Sequence, residues 1–167
     1  MPIDTAIIHG LWPIVRKIPA FLVRWYFTRE RLAQLIYVDL YPRNESARIN
    51  LGAAPSVNLH IQVINLSPFT IELDRATFRL WCGGITLDSS LLKRQSISSG
   101  EIASLFLETA LSEGQATQLA KNFENNQVAL DGNIEFNCKV RAFPRVIHQL
   151  SGVQAKLINA HLRNGDA

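Results

Sequence analysis

From Val57 to Val63 apolar and polar residues alternate without a fault: Val57, Leu59, Ile61 and Val63 fall in one phase, Asn58, His60 and Gln62 in the other. A period of two sends alternate side chains to opposite faces of an extended chain, so VNLHIQVINL (57–66) reads as a half-buried strand. LIYVDLYP (35–42) alternates more weakly, and ATFRLWCGG (76–84) keeps Phe78, Leu80 and Cys82 in step. Gly83 and Gly84 supply the positive φ angles of a tight hairpin, which makes ITLDSSLLKRQSI (85–97) the partner strand. Ser98, Ser99 and Gly100 form the next turn. EIASLFLETAL (101–111) is a further strand, apolar at Ile102, Leu105, Leu107 and Leu111, with a slip of register expected near Ser104. VALDGNIEFNCKVRAFP (128–144) reads as a hairpin or long bent strand, with Asp131 and Gly132 as its turn or bulge.

One helix interrupts the strands. Ser112 and Gln115 stand at capping-box spacing, and Leu119, Ala120 and Phe123 recur at helical intervals, which predicts a short helix near 113–125. Many short strands with turn signals and one small helix imply a mainly-β chain, folded over residues 37–145 as an immunoglobulin/fibronectin-III-like antiparallel β-sandwich. The last stretch, 146–167, places Val146, Leu150, Val153, Leu157, Ile158 and Leu162 at helical spacing; it is expected to be a helical tail, although VQAKLINAHL also alternates as a strand would.

Residues 1–36 differ in kind from the rest. The first 31 hold five Lys and Arg against Asp4 and Glu30, which equals the whole chain's net charge of +3, and five of its fourteen aromatic residues. After Pro19 no breaker intervenes until the strands begin, so a single amphipathic helix is predicted. On a helical wheel Lys17, Arg24 and Arg31 form a basic stripe, opposite an apolar arc that includes Leu22, Trp25, Tyr26 and Ile36. That pairing suits a helix lying on an anionic membrane surface; the competing reading packs the apolar arc on the domain. The longest uncharged run, Thr5 to Val15, is too short to cross a bilayer. Its basic residues follow it, so the segment is expected to remain in the mature chain.

Between the strands around 60 and 78 stands NLSPF. Pro68 lacks an N–H and fixes φ, so it ends ladder pairing and bends the chain toward its next strand. Phe69 can enter the core, and Asn65 can bond backbone groups at the turn. Asn65, Pro68 and Phe69 are therefore assigned to architecture. The same residues carry a resemblance. A long strand ending in Asn-x-x-Pro-Phe (Asn65, Pro68, Phe69), a Ser and Gly turn, a short helix, and a late strand with Gly132, Ile134 and Phe136 resemble the late embryogenesis abundant type 2 family, also called the water stress and hypersensitive response (WHy) domain. The likeness covers about residues 50–144. That family more often has Asn-Pro-Asn where this chain has Asn65, Leu66 and Ser67. The resemblance implies a non-enzymatic binding or protective protein, linked to stress tolerance and often to membranes.

The search for chemistry is short. His9, His60, His148 and His161 stand at no metal spacing, and no Cys-x-x-Cys, phosphate loop, nucleophile elbow or dinucleotide fingerprint occurs. No cofactor, metal or catalytic residue is expected, and the small excess of positive charge gives no ground for a nucleic-acid partner. Cys82 and Cys138 are read as two buried free thiols, which favours a reducing compartment, because Trp81 adjoins the first of them instead of following on the next strand. These readings describe a non-enzymatic protein, cytoplasmic and peripheral to a membrane, whose partner is an anionic lipid surface or another protein. The alternative is a lipid-binding or lipid-transfer module with an apolar groove.

Overall fold

The computed structural model describes residues 20–41, 45–123, 128–150 and 152–162. Two short helices open it, α1 (Ala20–Tyr26) and α2 (Arg29–Gln34), followed by the strands β1 (Ile36–Leu40), β2 (Ala47–Asn50), β3 (Ser56–Asn65), β4 (Ile71–Cys82), β5 (Ile85–Leu91), β6 (Gln95–Ile97) and β7 (Ile102–Ala110). Then come helix α3 (Glu113–Asn122), strands β8 (Ala129–Cys138), β9 (Phe143–Ile147) and β10 (Ala155–Ile158), and a 3-10 turn at Ala160–Leu162.

Clean alternation makes β3 the centre of the first sheet. It lies antiparallel to β7 along one edge; the other edge takes β2 opposite its first half and β1 opposite its second, end to end. β10 adds to β2 in parallel, Ala155 beside Ala47. The second sheet is built the same way on β4: β5 and β6 share one edge, β8 occupies the other, and β9 lies outside β8. Gly83 and Gly84, at φ 54° and 73°, turn β4 into β5 as the sequence required.

The inner faces of the two sheets meet in one core. Val57, Leu59, Ile61 and Val63 of β3 and Leu105 and Leu107 of β7 are buried together with Ile71, Leu73, Phe78 and Leu80 of β4 and Ile134 and Phe136 of β8. Leu32 of α2 joins them. At α3 the capping box forms in full: Ser112 Oγ accepts the N–H of Gln115, and the Gln115 side chain accepts the N–H of Ser112.

Four expectations are corrected. The N-terminal helix is broken in two, because Thr28 takes an extended conformation and its hydroxyl caps a new helix by accepting the Arg31 N–H. The tail is not helical: β10 extends the first sheet, burying Val153 and Ala155, so the strand-like alternation of VQAKLI wins through tertiary pairing. Asp131-Gly132 is no turn, since β8 runs straight through it. Gly132 lies beside Phe78, and a Cβ there would stand 2.5 Å from a ring carbon, so close approach explains this glycine. Finally, β7 pairs without a slip at Ser104 and points Ile102 outward; the sandwich's irregularity is at Asp74, where the β4–β8 register shifts.

Candidate functional site

Of the residues nominated for membrane contact, Leu22, Arg24, Trp25 and Tyr26 lie on α1 and Arg31 on α2, and the way α1 is anchored decides what it shows to solvent. Val23 and Phe27 pack on the core, the Phe27 ring meeting Phe69 edge-on at 4.8 Å between centroids. Arg141 Nη2 donates to the Arg24 carbonyl at 2.5 Å. With positions 23 and 27 turned inward, the helical period turns 21, 22, 25 and 26 outward. Phe21 is 70% exposed, Leu22 40%, Trp25 76% and Tyr26 54%. This outward arc carries no charge. Arg24, Arg29 and Arg31 are exposed around it. Arg31 curls back, donating to the Tyr26 carbonyl at 2.9 Å with its guanidinium 4.6 Å from the Tyr26 ring centre.

One of the nominated residues has a different place. Ile36 does not belong to the surface set: it is the fully buried first residue of β1, because the helix has ended and strand alternation has begun. Lys17 lies outside the described residues. The break in the helix also ends the stripe between Arg24 and Arg31, which lie on different helices. Phe21, which sequence reasoning left out, is among the most exposed of the group. Its signal was present in the uninterrupted run AFLVRWYF, which is apolar on both sides of a helix.

At the other end of the hydrophobic chain of contacts sits the turn. Asn65 is fully buried, and its Nδ2 donates to the carbonyls of Phe69 (2.7 Å), Ile97 (3.0 Å) and Ser98 (3.1 Å). Its Oδ1 accepts the N–H of Ser67 at 3.0 Å and the Ser67 hydroxyl at 2.6 Å. Asn65 ends β3, whereas Phe69 and Ile97 lead into β4 and end β6, so one side chain ties the first sheet to the second. Ser99 Oγ closes the knot by donating to the Ser67 carbonyl at 2.6 Å.

A shallow cleft of about 410 Å³ opens on the outer face of the second sheet, lined by Thr77, Arg79, Asp88, Ser90, Asp131 and Asn133 among others. Arg79 Nε donates to Asp88 Oδ1 at 2.8 Å, and Asp131 pairs opposite Arg79 on β8. The bond to Asp88 and its charge hold the guanidinium above its ordinary pKa. Asp131 accepts the Gln149 N–H at 2.7 Å. These polar groups lie side by side across three strands, Asp131 acting on Arg79 through its charge, and sequence alone could not bring them together without the register. His60 leans on Phe106, ring centres 4.9 Å apart, on the outer face of the first sheet. Cys82 is buried, which pushes its thiol up to about 11, and both cysteines are free. They sit at opposite ends of the β4–β8 pair, since Ile71, not Cys82, lies across from Cys138. Among the described residues no group of three His, Cys, Asp or Glu gathers to hold a metal. No helix among them is long and apolar enough to cross a membrane.

No protein-family model matches the chain, and no curated protein matches it. Solved structures are similar in shape at low identity. The structural-genomics target SoR45 has a TM-score of 0.48 at 13% identity, over 70% of this chain and 84% of that one. A protein from Archaeoglobus fulgidus has a TM-score of 0.37 at 11% identity, over 74% and 97%. A candidate late embryogenesis abundant protein solved in solution has a TM-score of 0.38 at 12% identity, over 87% and 86%.

Proposed function

We propose that this chain is a non-enzymatic β-sandwich of the late embryogenesis abundant type 2 kind, with a protective role under stress, that attaches reversibly from the cytoplasmic side to an anionic membrane surface through α1. The carrying observation is the outward arc of Phe21, Leu22, Trp25 and Tyr26. Ordinary core packing gives no reason for four large apolar side chains to face solvent on one short helix, and the arginines flanking them suit anionic headgroups. Three further features support the reading. Two mainly antiparallel sheets, β10–β2/β1–β3–β7 and β5/β6–β4–β8–β9, support a β-sandwich, which we read as immunoglobulin- or fibronectin-III-like. The Asn65, Pro68 and Phe69 turn, on which the family resemblance rests, is built as a structural tie. Cys82, held as a neutral thiol by burial, is a poor nucleophile. An acyl-carrying groove has less support, because the inner faces of both sheets are filled by each other's side chains.

Vesicle co-sedimentation of the full chain tests this. Each basic residue near an anionic leaflet contributes about 1 kcal/mol, and a fully buried aromatic about 1.5–3 kcal/mol. Binding should require anionic lipid, weaken with salt, and fall about tenfold or more for Phe21→Ser with Trp25→Ser. Equal sedimentation of the wild type and that double variant would refute the reading.

A further inference from the structure

β9 carries an arginine where its pattern asks for an apolar residue. Arg145 lies directly across from the buried Ile134 and between Phe143 and Ile147, both buried. Cross-strand partners share a face, so the Arg145 stem starts on the inner side of the second sheet. On this flank the two sheets end at β1 and β9, and between those edges lies a groove of about 470 Å³ whose lining includes Tyr37, Asp39, Arg145, Val146 and His148.

Arg145 is partly buried, and its Nε is shielded from solvent without meeting an acceptor. Arg48 and Arg141 share that feature but use another arm of the guanidinium: Arg48 Nη2 pairs with Glu45, and Arg141 Nη2 with the Arg24 carbonyl. No such bond is made by Arg145 among the described residues. The strand edges add donors. Tyr41 donates to the His60 carbonyl and Leu66 to that of Leu35, so the odd-numbered residues of β1 face β3 and the N–H of Val38 faces the open edge. On β9, Cys138 donates to the Arg141 carbonyl, and the same alternation turns the N–H of Val146 outward. Among the described residues one carboxylate lines the groove: Asp39, which accepts the Leu40 N–H at 2.8 Å and the Tyr37 hydroxyl at 3.4 Å. His148 is exposed at the rim.

We propose that the groove between β1 and β9 is a binding site for a compact oxyanion, a phosphate or carboxylate group, clasped by Arg145 and assisted by the edge N–H groups. A planar guanidinium with its arms unspent matches such a group two-pronged, and its shielded Nε–H, which meets no acceptor, is a donor that an anion would satisfy. The anion can be free or part of a lipid headgroup.

The test is amide and arginine Nε–H NMR of the full chain, titrated with inorganic phosphate and with acetate against sodium chloride of equal ionic strength. Saturable shifts at Arg145 Nε–H, Val38 and Val146, with dissociation constants of about 1 mM or tighter, are expected. Arg145→Gln should abolish them, and Arg79→Gln, in the other cleft, should leave them. Stronger binding of soluble short-chain phosphatidate than of phosphate assigns the site to a headgroup; equal binding assigns it to the free oxyanion. Shifts that chloride reproduces, or that survive Arg145→Gln, would overturn the proposal and leave Arg145 as an inward charge that guards an edge strand from pairing. The outcome is separable from the membrane reading: Phe21→Ser with Trp25→Ser should alter vesicle sedimentation and leave the phosphate shifts intact.

Discussion

Removing the Asn65 side chain should cost the fold several hydrogen bonds at once. The structure gives five hydrogen bonds to that amide: three donated to the carbonyls of Phe69, Ile97 and Ser98, and two accepted from Ser67. At about 1 kcal/mol net for each bond, Asn65→Ala would lose about 5 kcal/mol. Two of the orphaned carbonyls keep a partner, however. Ser98 still accepts the Glu101 N–H, and Phe69 still accepts the Ser67 hydroxyl. The expected loss is therefore about 3 kcal/mol, read from urea denaturation at neutral pH. Asn65→Asp sharpens the test because it keeps the shape. Its second carboxylate oxygen would face three carbonyl oxygens, so the folded state should resist ionisation and the aspartate pKa should rise above the unfolded value of about 3.9. A raised folded-state pKa means that the penalty is absent below the unfolded pKa and grows as pH rises past it. Asn65→Asp should accordingly be near wild type in relative stability at pH 3 and worse than Asn65→Ala at pH 7. A loss below about 1 kcal/mol for Asn65→Ala, or an Asn65→Asp penalty that does not change with pH, would refute the account of this turn as a tie between sheets.

Gly132→Ala should destabilise by about 1–3 kcal/mol through overpacking, since the new Cβ meets the Phe78 ring at 2.5 Å with no positive φ involved; the cost should shrink in a Phe78→Leu background, and additive losses in that double-mutant cycle would count against the steric explanation. Native iodoacetamide labelling near pH 8 should modify the partly exposed Cys138 and spare Cys82, whose thiol burial pushes up to about 11; mass spectrometry showing equal labelling before denaturation would contradict it.

How much was legible in the sequence depended on how local each cause is. β3 could be read because one face is wholly buried, so Val57 to Val63 keep phase, and the Gly83-Gly84 turn and the Ser112–Gln115 cap each act within four residues. Gly132 was misread because its reason, the Phe78 ring, lies on another strand. β10 looks helical in sequence because its alternation is short and its partner, β2, is remote along the chain. The break at Thr28 was missed although a hydroxyl side chain inside a helical run is a usable N-cap signal. On α1 the exposed aromatics were legible as a group, but which of them face outward followed from the Phe27–Phe69 contact. The Arg145 groove was not legible at all, since an arginine reads as polar until the register sets it opposite Ile134.

The parallel pairing of β10 with β2 has a consequence for synthesis. Ala155 sits beside Ala47, so more than a hundred residues must emerge after β2 before its outer edge is covered. Once β7 has emerged the growing chain can pair β3 with β7, yet it still shows an uncovered row of main-chain groups along Ala47–Asn50. Such an edge is open to strands of neighbouring chains. β10 thus acts as a closing seal, and until it arrives the bare edge of β2 is a place where another chain's strand can pair.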